Sequence, residues 1–369
     1  CCYNETHIQI RSQVGDFRHH PLSSFTHRLP GCTNTTLLEI MRITSIPRKT
    51  WATLQIAAGA GLSVLLGWLM VRGLHWADLA DNIVAFPAPL FILALGVFLL
   101  GIGLRAWRWH ILFVRERVSY TRLFLIQNAG IGLNSVSPLR IVGEPLQLAL
   151  VSRREGISAA TALATLAMEH IMDVFATAAL LGLSVVLMPE LRGFSIQLVA
   201  AVILGALSLL VFLFIAQGMN AMPGVRRIAF LRRAVLAVQS LRDSPLRLAI
   251  SFLATLGHWG LIGLSGWIIA RGLNIEVDIA AVVVLFMGSI FFVSAVPSLP
   301  GGAITFEAAV VYTLGLFGIR GEPALVFAII MHVIMFAPSI LIAGMVLPRE
   351  GIKMFGRKDP VEGRDSRLV

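Results

Sequence analysis

The sequence predicts an all-α, polytopic membrane protein with about seven full spans and two oppositely oriented re-entrant helical hairpins. Two observations predict this fold class. Of the 369 residues, 57% are hydrophobic and only 14% are charged, whereas soluble domains average about 25% charged residues. The apolar residues also form long continuous runs, which excludes the alternating pattern of a transmembrane β-barrel. A soluble globular domain is excluded by the same numbers.

The apolar runs mark the helices of one membrane domain, which we place at residues 50–347. In chain order they occupy residues 54–71, 88–104, 123–137, 159–188, 196–217, 248–270, 279–296, 303–317 and 324–347. Residues 1–45 are polar and lack the apolar region of a signal peptide, so we expect a disordered tail in which Met41 is a candidate start of the protein. Residues 348–369 form a basic tail that we expect in the cytoplasm.

The net charge of +10 indicates membrane topology rather than nucleic-acid binding, because the basic residues lie between apolar runs. One set of loops, with the C-terminal tail, carries nineteen Lys and Arg residues. Arg105 and Arg108 are counted in this set, in the loop after the run 88–104. The other loops carry only Arg72, Arg192, Arg271 and Arg320. This bias places the first set, and both termini, in the cytoplasm.

Metal and cofactor sites are not expected. Cys1, Cys2 and Cys32 all precede the first apolar run and show no metal-ligand spacing, so neither a disulfide framework nor a zinc site is indicated. The sequence also lacks the P-loop pattern for nucleotides.

Two interrupted segments, 123–152 and 279–320, resemble each other in composition. In each, small polar residues are followed by a Pro, a Gly and then a Glu that enters a new helix. Residues 123–137 would form about 22 Å of helix, which is shorter than the hydrocarbon core of about 30 Å. We interpret both as re-entrant hairpins that enter from opposite faces of the membrane, which indicates an inverted repeat. Such paired interruptions are typical of a transport site, although two kinked spans are the alternative.

Charged residues inside the apolar segments need a partner or water, because a charge at the bilayer centre costs about 2.5–3.5 kcal/mol. Glu169 and Asp173 are four residues apart and share one helix face. They could share a proton, act as an acid–base pair or contact Arg140; the alternative is a structural ion pair that fixes helix packing. Arg140 could hold a phosphate through two hydrogen bonds, or extend to the interface instead.

The second interruption offers a different kind of anion site. The turn at Pro300, Gly301 and Gly302 permits close backbone approach, and the helix after it presents free N–H groups. Glu307, at the start of that helix, could also be a plain helix-terminus stabiliser. The predicted head-group site comprises Asn134, Arg140, Glu144, Pro300, Gly301, Gly302 and Glu307, and the predicted mid-membrane relay comprises Glu169, His170 and Asp173.

Three motifs occur in order along the chain: Pro138 with Gly143-Glu144, Glu169-His170-x-x-Asp173, and Pro297-Ser298-x-Pro300-Gly301-Gly302-x-x-x-Phe306-Glu307. Together they resemble the transmembrane region of lysylphosphatidylglycerol synthases, which also forms stand-alone flippase-like membrane proteins. The resemblance covers roughly residues 50 to 347. It implies the movement of lipids between leaflets.

Two departures from the family pattern affect head-group specificity. His170 stands where the family has an arginine, and the glycine usual between Gly302 and Glu307 is absent. Bifunctional members attach lysine with a large soluble C-terminal domain, but only about 20 residues follow the last apolar run. We therefore expect no lysyltransferase activity from this chain.

The sequence thus predicts a lipid translocase of a bacterial-type inner membrane. It would move the head group of a phospholipid, an aminoacyl-phospholipid or a lipid-linked glycan, downhill or coupled to an ion such as a proton on Glu169 and Asp173. Membrane lipids are the expected partners. One alternative is an intramembrane transferase that acts on a lipid-linked donor. Another is a non-catalytic partner of a separate lipid-modifying synthase or glycosyltransferase, and a homo-oligomer is also open.

Overall fold

The computed structural model describes residues 48–72, 76–137, 142–154, 156–187, 193, 195–218, 229–295 and 299–350. Throughout these ranges the regular secondary structure is helical, with no strand. The tail 1–45, the tail beyond residue 350 and the predicted site residue Arg140 lie outside the described residues. The all-α prediction is confirmed for the rest.

The described residues form twelve α-helices and one short 3₁₀ turn at Pro300–Gly302. The helices are α1 (Arg48–Val71), α2 (Trp76–Val84), α3 (Ala88–Leu112), α4 (Tyr120–Val136), α5 (Gly143–Arg154), α6 (Ala159–Leu187), α7 (Ser195–Gly218), α8 (Ala229–Arg242), α9 (Pro245–Gly272), α10 (Ile279–Ala295), α11 (Thr305–Leu316) and α12 (Glu322–Arg349).

Every predicted apolar run corresponds to a helix, but one boundary was wrong in a way that matters. The run 88–104 was expected to end before Arg105, whereas α3 continues to Leu112. Arg105 and Arg108 therefore lie within this helix and not in a loop. The hydropathy count ended the run at the first arginine, although a charged side chain can remain inside a membrane helix when it has a partner.

Four helices in the described part of the chain are long and apolar enough to cross a membrane: Ala88–Leu112, Ala159–Val186, Pro245–Gly272 and Glu322–Arg349. By contrast, α5 and α11 have 12 residues each, or about 18 Å of helix, which is too short to cross the hydrocarbon core. Each of these two short helices lies between longer helices in the sequence.

The helix lengths repeat along the chain. The helices α3, α4, α5 and α6 have 25, 17, 12 and 29 residues. The helices α9, α10, α11 and α12 have 28, 17, 12 and 28 residues. We call these groups the first and the second repeat; α7 and α8 lie between them in sequence.

The first helices of the two repeats, α3 and α9, pack closely against each other in an antiparallel pair. The Ser265 hydroxyl donates to the Ala94 carbonyl at 2.8 Å, and the Ser251 hydroxyl donates to the Arg108 carbonyl at 3.3 Å. The residue numbers of the partners increase along α3 while they decrease along α9, so the first helices of the two repeats run in opposite directions. Small and hydroxyl-bearing residues are the usual contacts between membrane helices.

The first repeat also packs against the last helix of the second. A Cβ atom on Gly132 of α4 would overlap the backbone carbonyl of Ser339 in α12, so the two helices touch at their backbones. Next to this contact, the Ser339 hydroxyl donates to the Asn128 side-chain oxygen at 3.2 Å. This packing holds the helix that leads into the first interruption against the second repeat.

Candidate functional site

A buried ion cluster joins α3 to α6. The Arg108 guanidinium, 1% exposed, donates through Nη1 and Nη2 to the two carboxylate oxygens of Asp173 at 2.7 and 2.8 Å. Its Nε donates to Glu169 Oε1 at 3.0 Å. Glu169 and Asp173 reach one guanidinium because residues four apart lie on the same side of a helix. The two carboxylates therefore share one permanently charged partner.

Two further helices complete the cluster. From α9, Thr255 Oγ1 accepts a hydrogen bond from Arg108 at 2.9 Å, and the Trp259 indole donates to Asp173 at 3.2 Å. From α4, the Gln127 amide donates to both oxygens of Glu169, at 3.2 and 3.3 Å. Such hydrogen bonds satisfy charges that would otherwise be costly to bury. The cluster therefore ties four helices together.

The position of Arg108 explains why its charge lies inside the protein. It is four residues before the end of α3, and helical side chains tilt toward the N-terminus of their helix. Its guanidinium therefore points toward the middle of the span rather than toward the nearby helix end. Sequence reasoning missed this residue as a site residue. One feature of the sequence could have indicated that Arg108 lies inside a helix. Tryptophans and further apolar residues continue to Leu112, and Arg105 and Arg108, three residues apart, would lie on one side of that helix.

The structure does not bring His170 into this cluster. His170 is exposed, whereas its neighbour Glu169 is buried at 4% exposure. Successive residues on a helix point about 100° apart, so the side that carries Glu169 and Asp173 excludes His170. Of the three residues of the predicted relay, only Glu169 and Asp173 therefore belong to the cluster. Their partner there is Arg108, which the sequence did not predict as a site residue.

The first interruption joins two antiparallel helices. The Asn134 side-chain oxygen near the end of α4 accepts a hydrogen bond from the Gly143 backbone N–H, at the start of α5, at 2.7 Å. One turn away, Gln147 packs against Gly130. Asn134 thus closes the helical hairpin, and Glu144 beside it is exposed. Residues 138–141 between the two helices, including Arg140, lie outside the described residues.

The second interruption has an unusual backbone. Gly301 and Gly302 have positive φ angles of 75° and 71°, and Ile304, just before α11, has a φ of 70°. Glycine adopts this left-handed region freely, but a β-branched residue is strained there. Ile304 is held by packing against Gly67 of α1. Strained backbone of this kind concentrates at functional sites.

A second polar pair lies just after this turn. His332 Nδ1 of α12 lies 2.6 Å from Glu307 Oε1 of α11. The His332 ring is packed between Phe306 and Phe336, at centroid distances of 5.4 and 4.4 Å. The other carboxylate oxygen, Glu307 Oε2, is buried without a hydrogen-bond partner in the described part of the protein. Glu307 therefore does more than stabilise the start of α11, because it is also hydrogen-bonded to a residue of α12.

The two interruptions meet inside the protein. A Cβ atom placed on Gly301 would lie 3.5 Å from the Ser135 carbonyl oxygen of α4 and 3.7 Å from His332 Nε2. Gly301 and Gly302 are both buried there. The structure thus brings Asn134, Gly301 and Glu307 into one region. The cluster of Glu169 and Asp173 lies elsewhere, beside Gln127, which is nearer to the start of α4.

No group of residues in the described ranges could hold a metal ion. The charged side chains of the two sites, Arg108, Glu169, Asp173 and Glu307, form ion pairs and hydrogen bonds with other side chains.

The amino-acid sequence matches one family model, described as the lysylphosphatidylglycerol synthase TM region, over residues 56–343. This range is more than three quarters of the sequence, so the chain belongs to this family, and no other domain is found within the 369 residues. No curated protein matches the chain. The resemblance expected from the three motifs is confirmed, and with its long apolar helices the chain is a multi-pass integral membrane protein.

Proposed function

We propose that this member of the lysylphosphatidylglycerol synthase TM family is a lipid translocase of the inner membrane, with both termini in the cytoplasm. It moves the head group of a phospholipid, an aminoacyl-phospholipid or a lipid-linked glycan from one leaflet to the other. The acyl chains remain in the bilayer, so only the polar head group needs a path through the protein.

The observation that carries this proposal is the contact between the two interrupted hairpins at Ser135 and Gly301. Helix breaks leave backbone groups without intrahelical partners, and a membrane protein tolerates them only where they are packed in protein or line a cavity. Transporters built from inverted repeats place such breaks at the substrate site. The short α5 and α11 support an interpretation of both segments as re-entrant.

The polar residues suggest an order of contacts along the path. A head group from the cytoplasmic leaflet would first meet Glu144 and Arg140. It would then pass the side of the protein where Arg108 holds Glu169 and Asp173, and it would leave past Gly301 and Glu307. The cluster of Arg108, Glu169 and Asp173 carries one negative charge more than it has positive charges, and the nearby Arg105 of α3, which attracts Asp173, balances it. This part of the path therefore has fixed polarity and no net charge.

Reconstitution into liposomes tests the proposal. Purified protein is expected to accelerate the movement of fluorescent phospholipids between leaflets relative to empty liposomes. The double variant Glu169→Gln with Asp173→Asn is expected to slow this movement, because it removes both anionic charges of the cluster and leaves Arg108 without a counter-ion. Only variant protein that elutes as a monodisperse peak is compared.

The matched control is Asp243→Asn, an exposed carboxylate that pairs with Arg242 at the protein surface. It should leave the rate unchanged. Wild-type protein that moves none of the candidate lipids would refute the translocase. Lipid recovered with a changed mass would instead support the transferase alternative.

A further inference from the structure

The helix α1, which belongs to neither repeat, packs against the second interrupted segment. A Cβ atom on Gly67 would lie 3.1 Å from Cγ2 of Ile304, the residue with a positive φ before α11. One turn earlier in α1, Ser63 Oγ lies 3.4 Å from Thr305 Oγ1, and both side chains are fully buried. Two consecutive residues of the interrupted segment, Ile304 and Thr305, therefore contact α1.

Few residues of α1 are held by the rest of the protein. Of residues 57–70, whose exposure the structure describes, only Gly59 and Ser63 are buried. Four large apolar side chains of α1 are each more than half exposed: Val64, Leu65, Trp68 and Leu69. An apolar side chain gains little by leaving lipid for a helix surface, so helix association in a membrane depends on close packing and hydrogen bonds. Because α1 makes few such contacts, its separation from the interrupted segment costs little free energy.

The helices α4 and α12 also contact the interrupted segment, but they are joined to each other. Gly301 faces the Ser135 carbonyl of α4 and His332 of α12. These two helices are in backbone contact at Gly132, and they share a side-chain hydrogen bond beside that contact. Of α1, α4 and α12, the helix α1 is therefore the one whose displacement breaks the fewest interactions.

Displacement of α1 also affects the strained backbone of the interrupted segment. A β-branched residue with a φ of 70° persists only where its surroundings prevent relaxation. With α1 displaced, Ile304 loses its contact with Gly67 and can return to a negative φ. Because Ile304 is only three residues after Gly301, this rotation moves Gly301 relative to Ser135. The position of α1 is therefore coupled to the place where the two interruptions meet.

We propose that α1 is a lateral gate that controls access from the bilayer to the meeting point of the two interrupted segments. The inference rests on the proposed translocase function, and it assigns to α1 the step that admits lipid. In the docked state α1 contacts Ile304 and Thr305, and Gly301 lies against Ser135. Displacement of α1 releases Ile304 and opens a side passage through which the acyl chains remain in the bilayer.

A disulfide between α1 and the interrupted segment tests the gate in the full chain. The native cysteines, Cys1, Cys2 and Cys32, are first replaced by Ser, and Ser63→Cys is then combined with Thr305→Cys. Oxidation is expected to slow the movement of fluorescent phospholipids in liposomes by about tenfold or more, and reduction should restore it. Unchanged movement after complete cross-linking would overturn the gate. Failure of the two cysteines to cross-link would overturn the docked contact and the gate with it.

A second disulfide provides the matched control. Asn128→Cys with Ser339→Cys joins α4 to α12, whose side chains are hydrogen-bonded there in the wild type. This disulfide should leave the rate of lipid movement unchanged, because the two helices stay together whether the gate is open or closed. Equal inhibition by both disulfides would overturn the assignment of the movement to α1.

Chemical labelling measures access to the meeting point without any lipid movement. Ser135 is 5% exposed, so Ser135→Cys places a thiol that reacts only when the gate opens. In the background without native cysteines, N-ethylmaleimide is expected to modify this thiol, with mass spectrometry as the readout. Adding the oxidised pair at positions 63 and 305 should slow the modification by about tenfold, because local opening is then prevented. Equal labelling with and without the disulfide would contradict the gate.

A second variant replaces the disulfide if the cysteine pair does not give monodisperse protein. Gly67→Leu adds a side chain that overlaps Ile304, so it should hold α1 away and speed the labelling of Ser135→Cys by about threefold. The control is Gly61→Leu in the same helix, where a Cβ atom has no neighbour within 4 Å. Equal labelling rates in the two variants would show that α1 does not control access.

The two proposals can fail separately. If wild-type protein moves no lipid in liposomes while the disulfide protects Ser135→Cys from labelling, the gate stands and the translocase fails. If wild-type protein moves lipid while the disulfide changes neither movement nor labelling, the translocase stands and the gate fails.

Discussion

The two repeats have the same helical plan but carry different chemistry. Glu169 and Asp173 are the eleventh and fifteenth residues of α6, and the residues at the same positions of α12 are His332 and Phe336. In the first repeat, two carboxylates share an arginine that belongs to the first helix. In the second repeat, one carboxylate from the short helix α11 pairs with the histidine of α12.

This difference lies in how many side chains and helices each polar group joins. In the first repeat, one guanidinium binds two carboxylates of α6, and side chains from α4 and α9 complete the cluster. In the second repeat, one carboxylate contacts one imidazole, and that imidazole packs between two phenylalanine rings. The same helical plan therefore supports an extended ion cluster in one half and a single polar pair in the other. Four substitutions test this difference, and they follow in order of decreasing expected effect.

Arg108→Gln should have the largest effect on stability. It leaves Glu169 and Asp173 buried without their cation, and removing one partner of a buried ion pair costs about 3–5 kcal/mol. Thermal unfolding in detergent, and the yield of monodisperse protein, measure the loss. Adding Glu169→Gln and Asp173→Asn should recover part of it, because the two buried side chains that lost their cation are then uncharged. A single variant as stable as the wild type would show that the cluster does not hold the first repeat together.

Gly132→Ala should come next, because its new methyl group would overlap the Ser339 carbonyl where α4 meets α12. Overpacking of this kind typically costs about 1–3 kcal/mol. The matched control is Gly344→Ala, a helical position where a Cβ atom has no neighbour within 4 Å. The midpoint of thermal unfolding should fall for the first variant only. Equal midpoints would mean that the repeats are not in backbone contact there.

His332→Gln should have a smaller effect than Arg108→Gln, since only one hydrogen bond to Glu307 is lost. We expect a cost of about 1–3 kcal/mol for leaving this buried carboxylate without its partner. A double-mutant cycle with Glu307→Gln isolates the pair from the aromatic packing around His332. A coupling energy near zero would show that the two side chains do not act together.

His170→Ala should have the smallest effect, within about 0.5 kcal/mol of wild type, because surface substitutions away from special features change stability little. The comparison is with its neighbour Glu169 in the same helix. Chemical denaturation of the two single variants, Glu169→Gln and His170→Ala, provides the measurement. A large loss in the histidine variant would place His170 in the cluster after all.

Much of the fold could be predicted from local sequence. All nine apolar runs correspond to helices, and α4 ends at Val136 and α10 at Ala295, next to the predicted interruptions. In lipid, a helix must satisfy its own backbone groups, so a continuous apolar run fixes its structure without help from distant residues. The same reasoning placed Glu169 and Asp173 on one helix side. This reasoning failed at Arg105, because the first charged residue was taken as the end of the apolar run.

The membrane class, the family, the interrupted segments and the two carboxylates follow from the amino-acid sequence. The partners of these residues follow only from how the helices pack: Arg108 for Glu169 and Asp173, His332 for Glu307, and Ser135 beside Gly301. The reason is separation along the chain. Helical periodicity relates residues three or four positions apart, whereas these partners lie tens of residues apart and meet only when particular helices pack side by side.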